Sequence, residues 1–361
     1  MKITLCMIVK DEEKNIKRCL ESALGIVDDA IIVDTGSTDR TLDIIKTFGK
    51  KIQIINYNWE DDFSKARNLS IKNANGDWIL VLDADEELIC DKEKLISKLK
   101  DTNLNSFNVT WINVLDNKGE LDSFAYNRVF RNKGYRYYRA IHEQLDVNEK
   151  ESGILEEEIF KIIHYGYTKE NMEKNNKVNR NLKILLDCYN NDSEDPFVCY
   201  HLGATYASSR DYKNALDYFI RSYELGLNRG FGAYYYELIK RMSECIYLLH
   251  DYKLCIDFIT QLLSKEDTRN FTDLYYIAGS CFYKMKDHEN AKKMFNKCIE
   301  LGESKNLPTF TGRGSFLSEL MLARIYVDKN DSKNAKMFYL KVLKAKQSLS
   351  KDIIKEIYCY I

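Results

Sequence analysis

Proline is almost missing from this 361-residue chain, which holds only Pro196 and Pro308. Long helices can therefore run uninterrupted. No apolar run approaches the ~18 residues that span a bilayer. The opening MKITLCMIVKDEE turns acidic before a signal-like apolar region can develop. A cytoplasmic protein is expected. The ten cysteines include no CxxC pair, so they read as mostly buried thiols rather than a disulfide framework. Charge of one sign is lacking too: 54 basic and 55 acidic residues leave a net charge of -1. Without a basic field, wholesale binding to nucleic acid or to an anionic membrane is not favoured. No GxGxxG follows the first apolar run and no GxxxxGK[ST] occurs, so dinucleotide-dependent hydride transfer and P-loop chemistry lose support. What is present, 45% hydrophobic and 30% charged residues, is the composition of an ordinary globular chain. At ~100–200 residues per domain, it has room for two.

Tyrosine marks the division. Of 25 tyrosines, five precede His164 and twenty follow it. In the first stretch short apolar runs (3–9, 30–34, 51–57, 77–83) alternate with helical patterns near 12–24, 38–48 and 62–74. Strands alternating with helices predict a mostly parallel sheet covered on both faces. Ser37 and Thr38 are expected to cap the second helix, with Asp39 in its first turn. The segment 106–163 is richer in strand pattern and reads as an extension of that sheet.

Beyond about residue 170 the pattern is helical and repetitive. DYKNALDYF (211–219), DYKLCIDFI (251–259), DHENAKKMF (287–295) and DSKNAKMFY (331–339) align. Their small residues Ala215, Cys255, Ala291 and Ala335 recur at intervals of 40, 36 and 44. Preceding helices carry Gly203 and Gly279, which permit close helix contact. Paired helices near a 34-residue period predict tetratricopeptide-like repeats, with Pro196 starting the first. The boundaries read as 1–167 for the α/β domain, 168–195 for a linker helix and 196–361 for the repeats.

Asp83-Ala84-Asp85 follows the apolar run WILVL and is the most informative point for chemistry. In extended chain, residues two apart face one side, so both carboxylates would meet one ligand at the carboxyl edge of the sheet. A hard divalent cation suits such a pair. The other reading of the Asp is a cap on the next element. Asp34 ends its own apolar run, where it either accepts hydrogen bonds from a nucleoside or caps the turn through Thr35 to Thr38. Asp11, Glu12 and Glu13 follow the first run in the same way.

Together, CMIVKDEEKNIKRCLES, AIIVDTGSTDRT, DDFSKARN and WILVLDADEEL resemble the nucleotide-binding half of family 2 inverting glycosyltransferases of the GT-A fold, over residues 2 to about 167. The resemblance implies a Rossmann-like mixed sheet, a nucleotide-sugar donor, here expected to be a UDP-hexose, and a divalent metal, Mn²⁺ or Mg²⁺. It implies that Asp34 contacts the nucleoside, that Arg67 supports the nucleotide pocket or diphosphate, and that Asp83 and Asp85 bind metal and diphosphate. The stretches YNRVFRNKGYRYYRAIHEQL and KIIHYGYTKENMEKNNKVNRN are similar to the subgroup that joins this domain to tetratricopeptide repeats, the sublancin-type peptide S-glycosyltransferases among them. That similarity puts His142 and Glu143 near the acceptor, with Glu143 the candidate base and His142 either orienting it, contacting the diphosphate or packing. It puts His164 where many enzymes of this fold place a third metal ligand, the other reading being a structural histidine at a strand end. Arg128 and Arg131, three residues apart, need not face one side under strict alternation, so either is a candidate for steadying the diphosphate while the other is a solvated strand charge.

Three function classes follow. One is a glycosyltransferase acting on a peptide or protein, through a Cys or Ser side chain, with the repeats holding the acceptor or a second copy in a homodimer. Another is a glycosyltransferase extending a surface polysaccharide or lipid-linked glycan. The third is a non-catalytic interaction protein, which the retained acidic residues argue against.

Overall fold

The computed structural model describes residues 1–115, 119–166, 177–304 and 307–360. Contacts divide the chain into two units, Met1–Arg180 and Asn181–Ile361. Residues 168–176 of the expected linker lie outside the described residues, while Lys177–Asn191 is helical.

The first unit is built on strands β1 (Ile3–Val9), β2 (Asp29–Asp34), β3 (Ile52–Asn56), β4 (Trp78–Val81), β5 (Glu86–Cys90), β6 (Ser106–Leu115), β7 (Gly119–Arg131), β8 (Tyr137–Tyr138), β9 (Gln144–Leu145), β10 (Ser152–Ile154) and β11 (Phe160–His164). Helices α1 (Ile16–Ala23), α2 (Thr41–Lys46), α3 (Phe63–Lys72) and α4 (Lys92–Lys100) connect the early strands. The main sheet runs β3-β2-β1-β4-β7-β6-β11-β5, and β10 pairs with β6. β1 is parallel to β2 and β4, and β2 to β3; β7 runs antiparallel to β4 and β6.

Burial explains the central strand. Leu5 and Met7 of β1 are fully buried, and each contributes about 1.5–3 kcal/mol by leaving water. Helix α1 covers that core with Ile16, Cys19, Leu20 and Ala23, one stripe at helical spacing. Trp78, Phe107 and Phe160 extend the same core beneath the antiparallel half.

In the second unit, four helix pairs follow one another: Pro196–Ser208 with Tyr212–Arg229, Tyr235–Leu248 with Tyr252–Leu263, Thr272–Lys284 with His288–Leu301, and Phe316–Asp328 with Ser332–Val342. Lys351–Tyr358 closes the array. Every second helix begins the same way. A residue of positive φ (Arg210, His250, Lys286, Asn330) is followed by an aspartate whose side chain accepts from the backbone N–H three residues on. The repeated small residues Ala215, Cys255, Ala291 and Ala335 are all buried. A methyl group on Gly203 would stand 2.5 Å from the Phe219 ring, and one on Gly279 would stand 2.9 Å from Phe295. Pro196 occupies the first turn of its helix, capped by Asp195.

The interval of 44 has a structural cause. Before helix Phe316–Asp328, residues 307–315 fold back over the first helices of earlier pairs. The carbonyl of Pro308 accepts from Lys240 Nζ, and fully buried Asp273 accepts from Thr309 Oγ1, the Phe310 N–H and Arg313 Nη1 at 2.6 Å. Arg313 Nη2 reaches Glu244 at 2.8 Å.

Candidate active site

Because β1, β2 and β4 run parallel, Asp11, Asp34 and Asp83 emerge at one edge of the sheet. The first two loops are sewn together. Asp11 N–H donates to Ser37 Oγ, and Asp11 Oδ1 accepts from the Thr38 N–H at 2.7 Å. Ser37 and Thr38 are therefore spent on Asp11 and do not cap α2, which starts at Thr41 after an Asp39 side chain that accepts the Thr41 N–H. The expected cap is corrected: tertiary hydrogen bonds claimed both hydroxyl residues. Asp34 is buried and accepts from the N–H groups of Gly36 and Ser37, the turn-capping alternative.

β4 ends at Val81, and the chain then turns tightly, with the Glu86 N–H donating to the Asp83 carbonyl at 3.0 Å. The segment 83–85 is not extended, so the premise that its two carboxylates share one side fails. Asp83 instead meets two guanidiniums: Arg67 Nη2 at 2.8 Å and Arg128 Nη2 at 3.3 Å. Burial would raise its carboxyl, but Arg67 and then Arg128 outweigh that and hold it well below the usual carboxylate range. Arg67 also donates from Nε to Glu143 Oε1 at 2.5 Å. Burial would weaken its positive charge, yet Asp83 and Glu143 keep it firmly cationic.

Local structure explains this meeting. Asp62 caps α3, the Phe63 N–H donates to the Ala140 carbonyl, and the Asn68 amide both donates to and accepts from the Tyr137 backbone. The small hairpin β8–β9 is thus fastened along α3, and its turn carries His142 and Glu143 up to Arg67. His142 has φ 52°, a conformation that non-glycine residues rarely adopt and that clusters at functional sites. Surrounding groups desolvate its imidazole and lower its pKa more than Glu143 raises it.

Glu86 is the residue that the sequence reading missed. It is fully buried; Oε1 accepts from Trp111 Nε1 and Arg128 Nη2, each at 2.7 Å, and Oε2 accepts from the Asp83 N–H at 2.8 Å. Burial pushes its carboxyl up to about 7, against the pull of Arg128.

Asp85 turns the other way, towards β11. Its Oδ2 lies 3.4 Å from His164 Nε2, and His164 Nδ1 lies 2.8 Å from Asn113 Oδ1. A His Nδ1–H donated to that oxygen leaves Nε2 as the atom facing the carboxylate, the orientation in which imidazole and carboxylate ligate one cation. The ring stacks on Trp111 with centroids 4.3 Å apart. A methyl group on Gly166 would run into His164 Nε2 and come within 2.8 Å of Asp85 Oδ2, so only glycine leaves this space open. Asp83, Asp85 and Glu143, with Glu86 poised at about 7, face Arg67 and Arg128 here, and Arg180 acts on Glu143 through charge, so Asp85 is the carboxylate that these guanidiniums leave for an added cation. Asp85 and His164 fit such an ion. Among the described residues, no group of three or more His, Cys, Asp or Glu gathers at one point that could hold a metal ion, and Asp83 is paired with the arginines.

Arg131 is a correction. It stands opposite Trp78 at the beginning of β4, whereas Asp83 lies beyond the strand's end. Its guanidinium donates to the carbonyls of Leu104 and Thr102 and covers the Trp78 ring. Arg128, three residues earlier, reaches the site, because β7 carries the two to different ends of β4.

Residues 4–153 match the profile of glycosyl transferase family 2, and residues 272–303 and 320–349 match a tetratricopeptide repeat. Among curated proteins, a TPR repeat-containing protein of Synechococcus elongatus is 36% identical over 222 residues, covering 59% of this chain and 54% of that one. The SPbeta prophage-derived glycosyltransferase SunS of Bacillus subtilis is 29% identical over 225 residues, covering 61% and 53%. An uncharacterized glycosyltransferase of Rickettsia typhi is 38% identical over 90 residues, covering 24% and 29%. The chain spans about half the length of the first two relatives. Among solved structures, MamA from Desulfovibrio magneticus RS-1 is similar at 18% identity and a TM-score of 0.40, covering 50% of this chain and 93% of that one. The first unit thus carries a glycosyl transferase family 2 domain, and the second carries tetratricopeptide repeats.

Proposed function

We propose that this chain is a cytoplasmic, metal-dependent, inverting glycosyltransferase that moves a hexose from a nucleotide sugar, of the UDP class, to a peptide or protein side chain such as Cys or Ser. The observation that carries the reading is the pairing of Arg67 and Arg128 with Asp83, two residues before the Asp85–His164 pair, beyond the carboxyl end of β4. A sugar nucleotide leaves as a diphosphate, so catalysis needs positive charge where that group departs. Arg67 and Arg128 supply it from buried, preorganised positions. A divalent cation held by Asp85 and His164 would supply further neutralisation when bound. Glu143 takes the acceptor's proton, with His142 beside it in the same turn. For a thiol acceptor this step is easier, since a free Cys has pKa ~8.5. Asp34 serves the nucleoside through the loop that it shapes, Gly36 to Thr38, rather than with an open carboxylate.

The tetratricopeptide repeats are the reason for preferring a polypeptide acceptor, because stacked helix pairs commonly offer an extended binding surface. They are equally the surface on which a homodimer would form, which a solution mass measurement decides. Extension of a polysaccharide or lipid-linked glycan is the alternative that the same donor chemistry allows.

Incubation with a panel of sugar nucleotides and Mn²⁺ or Mg²⁺, read as nucleotide release, tests the reading. One donor is expected to release its nucleotide. Gly166→Ala, which closes the space beside Asp85 and His164, is expected to lose at least tenfold of that release with the fold retained. No release from any donor would reject the transferase, and full activity in Gly166→Ala would reject the metal position.

A further inference from the structure

We propose that Arg67 is a molecular switch that keeps Glu143 out of action until the donor arrives: the entering diphosphate draws the guanidinium away from Glu143 and so releases the base. The inference rests on the donor and base roles proposed above. Arg67 is almost fully buried and shared, with Nε on Glu143 and Nη2 on Asp83. Its Nη1 is buried with no hydrogen-bond partner among the described residues, so one strong donor is not used in this state. Glu143 is itself only 13% exposed in its side chain and accepts directly from Arg67 Nε, while Arg180 acts on it through charge. The Glu143 oxygen that Arg67 Nε occupies is closed to an incoming acceptor group until that charge-assisted hydrogen bond breaks.

The surroundings fix which part moves. Asn68 and the Phe63 N–H clamp the hairpin to α3, so the backbones bearing Arg67 and Glu143 stay in place. Asp83 retains Arg128 if Arg67 leaves, and Arg128 in turn is held by Glu86. The guanidinium, at the end of a long side chain, is the mobile element. A diphosphate carries more charge than one carboxylate and accepts bidentately, so it competes well for Arg67. Without donor the acceptor is not deprotonated, and the order of events becomes donor first.

Coupling of this kind is reciprocal: if diphosphate removes Arg67 from Glu143, then removal of the Glu143 charge must strengthen diphosphate binding. Calorimetric titration of UDP in the presence of Mn²⁺ is expected to show Glu143→Gln binding at least about fivefold more tightly than wild type, the low end of usual coupling between sites. Glu143→Ala is expected to shift in the same direction. A merely structural role for the pair would weaken binding instead. Arg67→Met is expected to bind weakly, and adding Glu143→Gln to it should then change nothing. Unchanged or weaker binding in Glu143→Gln, or tightening that persists without Arg67, overturns the switch. A wild type that binds UDP, ADP, GDP and CDP not at all overturns the proposed function and this inference with it.

Discussion

Glu86 illustrates how one buried side chain can organise charges that the chemistry needs. Its two oxygens take three donors, from Trp111, Arg128 and the Asp83 backbone, and so fix both the turn after β4 and one guanidinium. The carboxyl is pushed up to about 7 from an ordinary 4.5. A folded value above the unfolded one means that the folded state holds the proton more firmly, so this contribution favours folding in acid and is lost as the pH rises through about 7. Asp83 works in the opposite sense, but only well below pH 5, where its unfolded form begins to take protons. Between pH 5 and 8 the Glu86 contribution falls, while His142, held below its ordinary value, works in the opposite sense in the lower part of that interval and does so equally in wild type and variant. The melting temperature of Glu86→Gln should fall less over that interval than that of wild type; equal slopes would exclude Glu86 as the source. Asp83, Arg67, Arg128, Asp85, His164 and Glu143 were nameable as candidates from the sequence, by their strand-end positions or by resemblance. Sequence reading missed Glu86 because an acid inside DEEL carries no local mark of burial. It misplaced Arg131 because only the register of β7 against β4 decides which end of the sheet a residue three positions along will reach.

At the scale of elements, the alternating pattern was legible wherever one face or both are buried. β1 spans 3–9 as its apolar run indicates, and the aligned repeats became paired helices. The strand β5 was hidden by its acidic first residues, and the α2 cap was lost to Asp11, since neither cross-strand pairing nor tertiary hydrogen bonding leaves a trace in local spacing. The helix pairs do leave one, in glycine. Gly279 lies against fully buried Phe295, at a distance of 2.9 Å for an added methyl group. Alanine there should gain up to ~1 kcal/mol of helix propensity and lose about 1–3 kcal/mol to overpacking. Gly279→Ala is expected to lower stability in a denaturant titration, and Phe295→Leu in the same background to recover part of the loss. A more stable Gly279→Ala would show that the ring can yield.

The whole molecule joins two kinds of stability. The α/β unit is tied by long-range strand pairing, whereas stacked repeats ordinarily depend on nearest neighbours alone and can fray from an end. Residues 307–315 break that rule in the second unit. Arg313 joins Glu244, 69 positions earlier, to Asp273, and the Asp273 carboxylate has no exposure to water. Removing one partner of a buried ion pair costs about 3–5 kcal/mol, so Arg313→Met should weaken amide-exchange protection in helices 235–248 and 272–284 together. Loss confined to residues 307–315 would mean that the loop only rests on the surface. In the intact chain, the fourth pair cannot peel away without pulling on the second and third. An array that would otherwise unzip piecemeal is fastened like a buckled belt, and it should come undone in a single step.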